Sequence, residues 1–191
     1  VKSSVVNLID KAILDSNRSD LEFVGAHPMA GAEVSGFTNA RAELFVDAVC
    51  AITPGDTSSK DSEILVTQFW ESLGCRCVII DPKVHDEMVA KVSHLPHVVS
   101  SALAYNSLED QTGAGQLAGP GIKGMTRISL GSPNMWAEIL FQNKECVEKS
   151  LGQHINSMKD LLEILKNENQ KELLDFLVKA RENRLKSFPS D

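Results

Sequence analysis

The 191-residue chain contains no run of about 18 apolar residues, so nothing in it reads as a membrane-spanning helix. It also lacks a basic segment followed by a short apolar one, the pattern of a secretory signal. Positive charge is not in excess. A formal net charge of −7 leaves no basic face for phosphate and argues against nucleic acid as the main partner. Cysteine is sparse, and Cys50, Cys75, Cys77 and Cys146 fit no metal-ligand spacing. They are expected to be reduced thiols of a cytoplasmic protein, with no chemistry at any of them. His85-Asp86-Glu87 is not the start of an HExxH zinc motif, and no third ligand stands at zinc spacing, so no metal is expected. Finally, no glycine loop for a pyrophosphate is found. Gly113-Ala114-Gly115-Gln116-Leu117-Ala118 has the letters of the dinucleotide fingerprint, but residues 107–112 before it are not a buried strand. Gly119-Pro120-Gly121 after it is not expected to open a helix.

What is present is an ordinary globular composition, 42% apolar and 24% charged, with two textures along the chain. Apolar residues at a helical period predict a first helix over residues 3–15. Phe23 to Ala26 reads as a short strand that ends in a tight turn at His27-Pro28-Met29-Ala30-Gly31. A short helix is expected around Asn39 to Leu44, then a buried strand from Val46 to Thr53. Ser58 to Leu73 reads as a helix, with Ser58 or Ser59 as N-cap and Gly74 as C-cap. Cys75 to Ile80 is a further strand, placing Cys75 and Cys77 on one face. Alternating units of this kind predict an α/β fold with a largely parallel sheet over residues 1–81. Residues 82–191 read as all helical. One long helix is expected from Pro82 to Leu108 despite Pro96, whose place inside it costs about 3 kcal/mol. A glycine-rich loop follows, then Ser132-Pro133 as a helix start. From there one helix of unusual length is expected from Trp136 through Leu165, and a last one through Leu185. Long helices with one apolar face each commonly bury it against a partner chain, which predicts a homodimer.

Three places could carry chemistry. His27 ends a strand on the rim of a sheet, where ligands bind in open α/β folds, and imidazole exchanges protons near neutrality. Ser93-His94-Leu95-Pro96-His97 sets two histidines three apart on a helix that its proline should kink, as happens near functional sites. One histidine packed and one solvated is the structural alternative. Arg127 follows the glycines and is suited to clamp a carboxylate with two parallel hydrogen bonds, although surface arginines are common.

Taken together these segments resemble the prephenate dehydrogenase family, which includes arogenate dehydrogenase. The matching stretches are Val1-Lys2, Gly25 through Gly31, Val92 through His97, Gly121 through Ile128, and Pro133-Asn134-Met135-Trp136. The resemblance implies a Rossmann domain for NAD or NADP followed by a helical dimerisation domain. It places Val1-Lys2 in the family's Gly-Ser-Val-Lys segment. The chain, starting without methionine, is therefore expected to be a fragment whose glycine fingerprint lies upstream, so that residues 1–81 are only the later part of a nucleotide domain. Such a fragment alone is expected to be inactive. The implied reaction is the oxidative decarboxylation of prephenate to 4-hydroxyphenylpyruvate in tyrosine biosynthesis. By this resemblance His27 accepts the proton of the ring hydroxyl, Arg127 binds a substrate carboxylate and His97 contacts the substrate. Glu33 and His85 orient or gate the site. Ser93, His94 and Trp136 support it, and Gly119, Pro120 and Gly121 form a loop reaching the neighbouring subunit's site. Many relatives carry aspartate at the position of Gly124, so a contact between subunits made by that carboxylate is not expected here. An arogenate dehydrogenase making tyrosine directly is a second reading. A non-catalytic dimerising domain that binds tyrosine or a related acid is a third.

Overall fold

The computed structural model describes residues 1–31, 36, 38, 40–109 and 113–189. By internal contact the chain forms two compact units, Val1–Val147 and Glu148–Asp191.

The first unit opens with helix α1, Ser3–Asp15, as its apolar period predicts. It buries Val6 and, less expectedly, Asp10. The Asp10 carboxylate accepts from the Asp56 amide at 2.7 Å and from the Thr57 hydroxyl at 2.5 Å, tying α1 to the loop that leaves the sheet. Strands β1 (Val24–Pro28), β2 (Val49–Pro54) and β3 (Arg76–Ile79) form one sheet in that order. The sheet is mixed rather than largely parallel: β1 runs antiparallel to β2, and β2 runs parallel to β3. The reason lies in the connections. A parallel neighbour needs a crossover, usually a helix, and helix α2 (Lys60–Ser72) provides it between β2 and β3. Between β1 and β2 the described residues include only a 3₁₀ turn, Ala42–Phe45, so the chain doubles back. Strand β1 also runs further than its apolar residues suggested. His27 and Pro28 are not in a turn but in the strand, opposite Ala51 and Cys50. Proline is tolerated there because β1 is an edge of the described sheet.

Helix α2 is capped by Ser59, whose side chain accepts from the Ser62 amide while Ser62 reaches back. Gly74, at φ +91°, ends it in the left-handed conformation that favours glycine. Cys50, Ile52 and Cys75 form the core between sheet and α2, with Phe45 edge-on to Trp70 at 5.4 Å. Burial pushes the Cys50 thiol up to about 11, with Cys77 and Cys75 adding to the effect, and such a thiol is inert. All four cysteines are free.

The helical run from Pro82 to Leu108 is continuous but not one α-helix. It divides into α3 (Pro82–Val89), a π-helical turn (Ala90–His94) and α4 (Leu95–Leu108). Proline cannot donate to the helix ladder, and the wider turn just before Pro96 absorbs the defect. A 3₁₀ turn, Ala114–Leu117, precedes α5 (Pro120–Thr126). Here the sequence reading is corrected, because Gly119-Pro120-Gly121 does open a helix. Proline at the first helical position forfeits only an amide that has no intrahelical partner. A further 3₁₀ turn, Arg127–Leu130, leads to α6 (Pro133–Gln142), where Ser132 holds the cap position without a side-chain cap bond.

The helix expected to run unbroken from Trp136 to Leu165 breaks at Asn143, whose backbone (φ −108°, ψ 29°) leaves the helical region. Helix α7, Lys144–Lys166, starts after it. In the second unit the remainder of α7 is joined to α8 (Gln170–Ser187) through Glu168 at φ +52°, and Asn169 caps α8 by accepting from the Glu172 amide. Ile155, Met158, Leu162 and Leu165 recur at heptad spacing along α7 and are all exposed. Among the described residues no helix is long and apolar enough to cross a membrane.

Candidate functional site

Three elements of the first unit bring the histidines together. Strand β1 carries His27, helix α3 carries His85, and the π-turn with the start of α4 carries His94 and His97. Asp81 fixes the start of α3 by accepting from the amides of Lys83 and Val84, with Pro82 at the first position. His85 is thereby buried, and its Nε2 lies 2.8 Å from Nδ1 of His27. On its other side His85 Nδ1 lies 2.9 Å from Asp86 Oδ1. The Asp86 carboxylate, also buried, accepts three more bonds from the first turn of α1: the Lys2 amide at 2.7 Å, the Ser3 amide at 3.0 Å and the Ser3 hydroxyl at 2.6 Å.

Burial alone would raise the Asp86 pKa. The bonds from His85, Ser3 and the Lys2 and Ser3 amides outweigh it and hold the carboxyl well below the usual range. His27 moves the other way for an imidazole: burial, then repulsion from His85 and Lys2, pushes it down to about 4. His94 is also brought down to about 4, chiefly by burial.

The expected alternative of one packed and one solvated histidine is not what the π-turn produces. His94 and His97 are both buried. His94 Nδ1 lies 3.2 Å from Nδ2 of Asn143, which also donates to the backbone carbonyl of Asp86 at 2.8 Å. His97 stacks on Trp136, with ring centroids 3.7 Å apart and planes 9° from parallel. Its Nδ1 is buried without a hydrogen-bond partner among the described residues. Burial lowers the His97 pKa, and a hydrogen bond to the Ile128 backbone opposes the shift. Gly131 makes room for the stack: a Cβ there would sit 2.5 Å from the indole nitrogen and 3.5 Å from the His97 ring.

Arg127 is exposed on the 3₁₀ turn that packs against α4, so the turn's backbone reaches His97 through Ile128. Ser93 is half-buried in the π-turn. Gly119, Pro120 and Gly121 are exposed at the start of α5, and a Cβ at either glycine would meet no neighbour among the described residues. Glu33 lies outside the described residues. Among the described residues no group of three or more His, Cys, Asp or Glu side chains could hold a metal ion. Sequence reasoning passed over Asp86, Asn143, Ser3 and Gly131. Asp86 stood next to a named histidine, which was a usable signal. Asn143 was absorbed into a helix it in fact interrupts.

Two family profiles cover this arrangement. One described as the prephenate dehydrogenase nucleotide-binding domain matches residues 1–79, and one described as the prephenate dehydrogenase dimerization domain matches residues 81–179. The chain belongs to the prephenate dehydrogenase family. It is 27% identical to the prephenate dehydrogenase of Bacillus subtilis (strain 168) over 186 residues, 96% of this chain and 49% of that one. The chain thus spans about half the length of that curated relative. Among solved structures, the Aquifex aeolicus prephenate dehydrogenase in complex with hydroxyphenyl propionate and NAD+ superposes with a TM-score of 0.79 at 33% identity, over 86% of this chain and 58% of that one. The Synechocystis arogenate dehydrogenase gives 0.76 at 29% identity, over 86% of this chain and 61% of that one.

Proposed function

We propose that the chain is the catalytic and dimerisation part of a cytoplasmic prephenate dehydrogenase, with His27 as the base that takes the proton of the substrate's ring hydroxyl. The observation that carries this reading is the hydrogen-bonded line His27–His85–Asp86, which holds an imidazole with a pKa of about 4, hence neutral at physiological pH, at the end of β1. Loss of hydride from the carbon bearing the hydroxyl makes that hydroxyl strongly acidic, so a weak base suffices. The proton passes to His27, the ring carboxylate leaves as carbon dioxide with its bonding electrons entering the ring, and His27 returns the proton to the phenolate oxygen of the aromatic product. Arg127 holds a substrate carboxylate by charge and paired hydrogen bonds. His97, flat on Trp136, lines the ring's surroundings with a buried nitrogen that has no partner among the described residues. His94 and Ser93 back it from the π-turn, Glu33 orients the substrate, and Gly119 to Gly121 reach the neighbouring subunit.

NAD or NADP, when bound, supplies the hydride acceptor. No described segment fits its pyrophosphate, because Gly113 (φ +67°) leads into a 3₁₀ turn rather than from a strand into a helix. The steps above are therefore those of this chain's own residues. In this reading residues 1–81 are part of the nucleotide domain and residues 82–191 form the substrate-binding and dimerisation domain. The exposed heptad stripe of α7 fits the helical homodimer.

The test is His27→Asn in the full-length enzyme. We expect kcat to fall on the order of 10²- to 10⁴-fold with KM for prephenate changed little. Undiminished turnover would remove His27 from the chemistry. Likeness to the Synechocystis enzyme supports the alternative reading, an arogenate dehydrogenase making tyrosine directly, and kcat/KM for the two acids compared side by side decides between them.

A further inference from the structure

We infer that Asp86 is a positioning residue that sets two imidazoles of the site in opposite tautomers, one as a proton acceptor and one as a donor. This deepens the reading of His27 as a base and rests on it.

The first arm runs through the carboxylate. Asp86 is ionised and can only accept, so the proton on His85 sits on Nδ1, which donates at 2.9 Å. A His85 ring whose single proton is the one given to Asp86 has a bare Nε2, and the group 2.8 Å away, His27 Nδ1, then donates to it. His27 is then protonated on Nδ1 and bare on Nε2. A bare Nε2 is the form that can take a proton from a hydroxyl.

The second arm runs through the backbone of the same residue. The Asp86 carbonyl can only accept, so the Asn143 atom 2.8 Å from it is the amide nitrogen. An amide nitrogen can only donate, and the same atom lies 3.2 Å from His94 Nδ1. His94 Nδ1 is therefore an acceptor, and the ring carries its proton on Nε2, the opposite of His27. One residue of α3, held by the start of α1, thus gives the site a base and a donor that do not exchange roles. Fixing a tautomer in this way is how a carboxylate behind a catalytic histidine acts, and its loss can cost about 10⁴-fold in kcat.

The experiment is a long-range proton–nitrogen correlation spectrum of the full-length protein labelled with ¹⁵N-histidine, at neutral pH and without substrate. His27 and His85 are expected as Nδ1–H tautomers and His94 as Nε2–H. An Nε2–H signal for His27, an Nδ1–H signal for His94, or an imidazolium at His85 would overturn the inference. Two apolar variants separate the arms. His85→Phe is expected to release the His27 tautomer and leave His94 unchanged, and Asn143→Leu the reverse. In the full-length enzyme His85→Phe should lower kcat roughly ten- to a thousand-fold with KM little changed. Wild-type kcat in that variant counts against a positioning role. The spectra require no turnover, so an inactive His27→Asn combined with the wrong tautomer at His27 would reject this inference while leaving the proposed base in place.

Discussion

Two halves of the site hold their imidazoles by different means. Around Asp86, hydrogen bonds do the holding: His27, His85, His94 and Asn143 all connect to that one residue. Around Trp136, packing does it: His97 lies flat on the indole, Gly131 leaves the space, and the ring's Nδ1 meets no partner among the described residues. Hydrogen bonds fix position and protonation together, because a donor and an acceptor cannot trade places. Stacking fixes position only. The first half is suited to a step in which a proton must go one way, the second to recognising a ligand that brings its own polar group.

The largest test of this contrast is Asp86→Ala. It would strand the Lys2 and Ser3 amides, the Ser3 hydroxyl and His85 Nδ1, all of which now donate to one carboxylate. Losing one side of a buried charge network costs about 3–5 kcal/mol, which urea unfolding would register as a midpoint shift. A loss below about 1 kcal/mol would mean that the network is no more than a surface arrangement.

Next in size is the response to acid. His27 and His94 titrate near 4 in the folded protein, below the ordinary imidazole value. Between pH 6.5 and 4 the unfolded chain therefore binds protons that the folded one refuses. Stability is full above pH 6.5 and is lost as the pH falls through that window. Two such groups give at most about 2.7 kcal/mol per pH unit, and less in practice because His27 is half-exposed and screened. Asp86, held low, contributes above the usual carboxylate range and loses that contribution only in stronger acid. Unfolding measured at pH 7, 5.5 and 4.5 should show the slope. His94→Gln should remove more of it than His97→Gln, since the shift at His97 is opposed by the Ile128 backbone. Equal effects would erase the distinction between the two halves.

How much of this was legible beforehand depended on whether the signal was local. The start of α1, the Ser59 cap, Gly74 and Pro82 are local devices and stand where the sequence put them. The Ser93–His97 segment was legible as a kink because proline has a fixed local cost, though not as a π-turn that buries both histidines. Strand direction was misread because alternation of strands and helices says nothing about a connection without a helix. Asp86 and Asn143 were missed for a related reason: their partners stand 84 and 57 residues away, and only the fold brings them together. Family motifs pointed to the histidines, but not to what orients them.

Gly131→Ala gives the smallest effect and the finest test of the stacked half. The backbone at Gly131 is not left-handed (φ −58°), so alanine meets no strain there. What it meets is the indole edge of Trp136, 2.5 Å from its Cβ at Nε1 and 2.9 Å at Cδ1. The ring has to shift, and His97, stacked 3.7 Å away, shifts with it. Overpacking of this kind costs roughly 1–3 kcal/mol, and a site at the edge of a turn should fall at the lower end. Because no hydrogen bond to Asp86 is touched, the tautomers of His27 and His94 should stay as they are. KM for the acid should rise several-fold while kcat holds, the pattern of a recognition surface displaced from an intact base. A fall in kcat with KM unchanged would instead place His97 and Trp136 inside the proton-transfer half, and the division of labour drawn between hydrogen-bonded and stacked imidazoles would fail.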